Sequence, residues 1–205
     1  MKISRNLNLI IPVRTEKGNG WVHATPISKE VFKEHFFILS KTFSAIFSEG
    51  LGVVAGPRIA FLMLERISRD SGIWDDDKGV RNTLVNEIIR LANLVYPVEG
   101  KGYDTIPLDM ALEREIVELD DVAGELVFFT CVSSINTPEQ TEQMMLVVSG
   151  MWNSRTSSLS LTEWIASLPT LNPVASSGAT ASTLSATSST TQPETDSATS
   201  GQIPV

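Results

Sequence analysis

The sequence predicts a mainly α (α+β) domain: a small N-terminal β-hairpin packed on a helical bundle, followed by a disordered C-terminal tail. Three observations predict it. Apolar residues recur at helical spacing, with matching caps and stops, through most of residues 1–169. Strand-like alternation is confined to the start of the chain. Composition then breaks near Pro169.

The hairpin opens the chain. Leu7, Leu9 and Ile11 alternate with Asn8 and Ile10, and Pro12 marks an edge or a strand end. Gly18-Asn19-Gly20 suits a tight reversal, because glycine and asparagine tolerate positive φ. Trp21 to Thr25 is the expected return strand. Two strands alone are marginal in water, so they must pack on helices or pair with another chain.

Helices are expected next. Ser28 is a plausible N-cap for a helix carrying Phe32, Phe36, Leu39, Phe43, Ile46 and Phe47, and Glu49-Gly50 ends it. Pro57 suits a first helical position, and the helix running from it to Gly72 is apolar on most of its circumference at its start, which predicts a central place. A third helix is read from Asp77 to Val95, stopped by Pro97 and Gly100. A short helix near Pro107–Glu113 and a longer one from Asp120 to Ser134 follow. Thr137-Pro138-Glu139-Gln140 is a capping box opening a helix to Trp152, and a last helix spans Leu161–Leu168.

From Thr170 to Val205, 36 residues hold 16 Ser or Thr and no aromatic or basic side chain. Such a segment cannot bury enough apolar area to offset the entropy of ordering it, roughly 1 to 2 kcal/mol per residue. The domain expectation is therefore a folded body over 1–169 and a disordered Ser/Thr-rich tail over 170–205. A mucin-like stalk is the other composition of this kind, but no secretion signal is read at the N-terminus.

Composition excludes several function classes. The 205 residues carry 16 basic and 24 acidic groups, net −8, which disfavours nucleic acid as a partner. One cysteine makes neither an internal disulfide nor a multi-cysteine zinc site. No apolar run reaches the roughly 18 to 20 residues of a membrane span. The charge is uneven: residues 1–98 hold 13 basic and 10 acidic groups, net +3, whereas residues 99–205 hold 3 and 14, net −11. Such asymmetry points to an electrostatic partner, although solubility alone also explains an acidic surface.

No catalytic constellation is read. His23 lies in the return strand and His35 on a helix face, both placed by ordinary packing; Cys131 falls in an apolar helix, where burial makes a thiol inert. Asp75-Asp76-Asp77 lacks the glycine and bidentate glutamate of a calcium loop and suits helix capping. Gly50-Leu51-Gly52-Val53-Val54-Ala55-Gly56 departs from dinucleotide spacing and follows a helix, so it reads as an interhelical connection. No cofactor or metal is expected. Met144, Met145 and Met151 share one helix with Trp152. Core filling is the commoner use of such residues, and an adaptable surface for apolar helices is the alternative. The candidate client-binding set is Met144, Met145, Met151, Trp152 and Trp164.

Three stretches, Trp21-Val22-His23-Ala24-Thr25-Pro26-Ile27-Ser28, Glu49-Gly50-Leu51-Gly52-Val53-Val54-Ala55-Gly56-Pro57-Arg58 and Thr162-Glu163-Trp164-Ile165-Ala166-Ser167-Leu168-Pro169-Thr170, together resemble tail assembly chaperones of tailed bacteriophages. The resemblance implies an acidic, largely helical, non-enzymatic protein of the host cytoplasm. Such a protein binds the tape measure protein, keeps it soluble while the tail tube assembles around it, and is absent from the finished virion. It also implies the tail tube protein as a further partner, homo-oligomers, and a longer frameshifted form near whose junction a polar C-terminus would lie. The alternative expectation is a structural virion component, such as a tail terminator or head-tail connector, whose edge-exposed hairpin pairs between subunits.

Overall fold

Leu9, Ile11 and Val13 share one side of the first strand and are buried, while Pro12 and Arg14 on the other side are exposed and Ile10 there is buried. This computed structural model describes residues 7–48, 50 and 52–169, so the expected tail over 170–205 lies outside the described residues. Strand β1 (Asn8–Thr15) turns at Glu16-Lys17 and pairs antiparallel with β2 (Gly18–Ala24), Thr15 opposite Gly18 and Leu9 opposite Ala24. The reversal precedes the expected Gly18-Asn19-Gly20 turn. Gly18 takes a positive φ of 117°, whereas Gly20 answers a different need: a Cβ there would lie 2.8 Å from the Val95 carbonyl oxygen on the next strand.

Two helices follow the hairpin, α1 (Lys29–Ser48) and α2 (Gly56–Asp70). The Ser28 hydroxyl accepts from the Val31 N–H at 3.3 Å, as the capping reading expects. The third expected helix is where the chain departs from its sequence pattern. It ends at Arg90 instead of Val95. A single π turn over Arg81–Val85, with the Val85 N–H donating to Val80 O at 3.0 Å, leads into α3 (Asn86–Arg90). From Ala92 the period changes to two.

Strand β3 (Ala92–Val98) and strand β4 (Gly102–Pro107) form a second hairpin, with Gly100 and Gly102 at φ 74° and 89° in and after the turn. The fold class is thereby corrected. The N-terminal hairpin is no small addition to a helical bundle; it is the middle of a five-stranded antiparallel sheet in the order β4-β3-β2-β1-β5, with β5 (Arg155–Ser157) added from far along the chain. Val95 explains the error. Its face of the sheet is covered as well, so β3 lacks the polar alternation of a half-exposed strand and Val95 extends a false helical period.

Four further helices, α4 (Leu108–Glu113), α5 (Leu119–Ile135), α6 (Pro138–Trp152) and α7 (Leu161–Ala166), match the expected elements closely. The Thr137 capping box forms as read, Gln140 N–H to Thr137 Oγ1 and Thr137 N–H to Gln140 Oε1. The central helix, however, is α5 and not α2. Leu126 to Val132 are buried without a break, on every side of the helix, whereas α2 buries one face through Gly56, Pro57, Ala60, Leu64 and Ser68.

The main core lies between the inner sheet face (Leu9, Ile11, Val22, Leu94, Ile106) and α1, α2 and α5. On the outer face α7 covers a smaller cluster, in which Trp164 packs with Ile10 and Val95 and meets Trp21 edge-on at 5.6 Å between ring centroids. Strand β2 is flanked on both sides. Strand β1 is covered by β5 along Asn8–Ile10, and Pro12 falls just past that ladder, where no donor is required. The hairpin is thus interior to the sheet along Asn8–Ile10, while β1 runs on from Ile11 to Thr15 past the end of the β5 ladder.

Close backbone approach holds α2 to α5. A Cβ at Gly124 would overlap the Pro57 carbonyl oxygen, and one at Gly56 would lie 2.6 Å from Phe128 Cε2. Overpacking of this kind costs about 1 to 3 kcal/mol. Gly124→Val is therefore expected to lower the unfolding free energy by that amount, seen as a lower urea midpoint with the m-value unchanged, whereas Gly150→Val, with open space around it, should cost less than half as much.

Candidate functional site

Helix α6 carries the candidate surface. Its first turns are charged, with Glu139 and Glu142, but from Gln143 to Ser154 the chain has no charged residue. Only Thr141, Met145 and Val148 are buried. Leu146 is 72% exposed, and Val147 and Met151 are each 58% exposed. An ordinary surface helix turns charged side chains outward at such positions. This one turns out leucine, valine and methionine.

The exposed row borders a small apolar cavity of about 210 Å³, lined by Phe47 at the end of α1, Val53 in the α1–α2 connection, Phe128 on α5, and Met144, Val147 and Val148 on α6. Phe47 is held between Phe43 and Phe128, at 4.6 Å and 6.1 Å between ring centroids. Gly52 lets the connection close over Phe47, since a Cβ there would overlap the ring. Trp152 ties the end of α6 to the same connection, its Nε1–H donating to Val54 O at 3.1 Å. Val54 is itself 53% exposed. The result is a continuous apolar strip across three elements.

The five sequence-derived candidates are not brought together. Met144 and Trp152 are half-buried at the strip, Met151 is exposed beside it, and Met145 is buried in the main core. Trp164 lies on the outer sheet face under α7, against Trp21 and His23, and is no part of this surface. Phe47, Val53, Val54, Leu146 and Val147 were missed. The sequence signal for the last two was the uncharged run itself, in which Leu146-Val147 adds apolar side chains beyond the three that the core takes.

Trp152 also borders an acidic cavity of about 260 Å³, with Arg58, Asp120, Asp121 and Glu125 around it. Glu125 Oε2 is buried without a hydrogen-bond partner, as is Ser154 Oγ. Burial pushes the Glu125 carboxyl up to about 7.

The nucleophilic and titratable groups singled out in the sequence are placed otherwise. Cys131 is fully buried, and desolvation pushes its thiol up to about 12. His23 is buried, with its Nε2–H donating to Leu159 O at 3.4 Å, and burial lowers its pKa. Burial lowers His35 as well, against the opposing charge of Glu34. Asp75 pairs with Arg69 at 2.8 Å and does not cap a helix, because the helical turns start only at Arg81. Among the described residues no group of three or more His, Cys, Asp or Glu is arranged to hold a metal ion, and no helix is long and apolar enough to cross a membrane. No known protein family, curated protein or solved structure matches this chain.

Glu125 yields a pH prediction. The folded state keeps the proton up to about pH 7, whereas the unfolded carboxyl releases it near 4.5. Between those values the folded state binds more protons at this site, so the contribution of Glu125 to stability is most favourable at low pH, falls as pH rises through the window, and is flat above it. The full difference is about 3 kcal/mol. Glu125→Gln should therefore match the parent protein in urea denaturation near pH 4.5 and exceed it by about 2 to 3 kcal/mol at pH 8.

Proposed function

We propose that this protein is a non-enzymatic binding protein for amphipathic helices: a tail assembly chaperone that shields the tape measure protein in the cytoplasm of an infected bacterium. The observation that carries the reading is the apolar strip, an uncharged helical surface beside a small apolar cavity, on a helix capped at its start and tied at its end to the α1–α2 connection. A helix laid in such a groove buries its own apolar stripe, with anchors at i, i+3, i+4 and i+7. Methionine adapts to stripes of differing shape, which suits a client with many non-identical turns. The acidic flank, Asp120 and Asp121 near Trp152, favours clients with basic side chains beside the stripe. The choice of the tape measure protein rests on the resemblance of the three stretches described above.

The test is co-expression with the tape measure protein, followed by pull-down at low salt. The parent protein is expected to raise client solubility and to copurify with it. Val147→Asp combined with Met151→Asp, at exposed positions where folding should be little affected, is expected to weaken the complex at least tenfold, about 1.4 kcal/mol. Solubilisation that survives the double variant, or abundance of this protein in purified virions, would sink the proposal.

A further inference from the structure

The sheet ends at β5, and its two outer edges are treated differently. Strand β4 is blunted: Pro107 lacks a donor, and Asp104 turns its own carboxylate onto the Thr105 N–H at 2.9 Å. Strand β5, paired with β1 on one side, ends the sheet on the other; it carries neither proline nor an acidic residue, and Arg155 is its one charged side chain. It is reached through the left-handed Asn153, which turns the chain back from the end of α6.

Between the β5 edge and α6 lies a groove of about 540 Å³, with Arg155 and Thr156 on one wall and Glu139, Glu142, Leu146 and Ser149 on the other. The four α6 residues stand three or four apart, so they form one row on the helix surface. Neither glutamate makes an ion pair among the described residues. Leu146 borders the apolar strip as well; Glu139, Glu142 and Ser149 do not line the apolar cavity formed with Met144, Val147 and Val148.

We infer that this groove accepts an extended, basic segment of another polypeptide, which adds to β5 as a sixth strand. A free strand edge supplies main-chain hydrogen bonds, and a wall beside it selects alternate side chains. The spacing fits. Alternate residues of a strand are about 6.8 Å apart, and four residues of a helix rise about 6 Å. An apolar side chain set against Leu146 thus places the side chain two residues away against Glu142, where a lysine or arginine completes the charge. The occupant expected is a segment in which apolar and basic side chains share one face. This inference does not rest on the chaperone reading, since it uses the groove beside β5 and another conformation of the partner.

The probe is an acetylated, amidated octapeptide of alternating valine and lysine, titrated into the full chain and followed by amide hydrogen exchange and calorimetry. Slowed exchange at Arg155–Ser157 is expected, together with at least tenfold weaker binding to the Glu139→Lys, Glu142→Lys double variant. Both substitutions are at exposed positions, so the fold is retained. A matched valine–glutamate peptide should not bind. The inference is overturned by the absence of slowed exchange at β5, by equal affinity for the charge-reversed variant, or by equal binding of a helix-forming alanine–lysine peptide. The last outcome would assign the acidic row to helix docking instead.

Discussion

Helix α5 has no side to give to water between Leu126 and Val132, and the other elements are arranged to cover it. A helix that is apolar all round is stable only when surrounded. The sheet covers one side, α2 approaches through Gly56 and Gly124, α1 brings Phe47 onto Phe128, and α6 lays Met145 and Val148 over the remainder. Burial of each large side chain contributes about 1.5 to 3 kcal/mol, so the unbroken run from Leu126 to Val132 is a substantial share of the main core. Its one buried hydroxyl does not disturb that arrangement, because Thr130 donates to Leu126 O within the helix at 2.8 Å. With three sides already covered, α6 has to supply only a narrow stripe, and the rest of its apolar side chains are left facing outward.

What was legible in the sequence follows from how local each signal is. Helix caps lie within four residues, and the capping box read at Thr137 and the N-cap read at Ser28 are both present. The start and length of α5 were readable from its unbroken apolar run. Strand β3 was not, because both of its faces are covered and its apolar residues continue a helical period by coincidence. Strand β5 has only three residues, Arg155–Ser157, and nothing in Arg-Thr-Ser marks a strand; its pairing with Asn8–Ile10 is a purely tertiary fact. The candidate surface was half legible. Methionine content pointed to α6, but Met145 faces the core and Trp164 belongs to the other sheet face, since composition carries no information on which way a side chain points.

The excess of acid after residue 99 does not form one patch. Asp104 blunts the β4 edge, Glu139 and Glu142 line the groove beside β5, and Asp120, Asp121 and Glu125 surround the cavity at Trp152. These are three environments with different physics. An exposed carboxylate at a strand edge discourages unwanted pairing. A pair without basic partners attracts a cationic segment, and a buried carboxyl opposes its own ionisation. The net charge of the half-chain is therefore a poor guide to where a partner would bind.

The outer face of the sheet joins residues from the two ends of the folded body. Asn8 donates to the carbonyl of Leu159, 151 positions later, and Trp164 closes over Ile10 and Trp21. During vectorial synthesis the first strand emerges from the ribosome long before its last covering element exists. Contacts of such sequence separation form slowly, because loop closure must precede any gain from packing. Until α7 arrives, Ile10, Trp21 and Val95 face water on a partly built sheet, and β1 has no neighbour on its β5 side. The nascent chain thus spends most of its translation time with an apolar sheet face and an open strand, a state in which aggregation competes with folding.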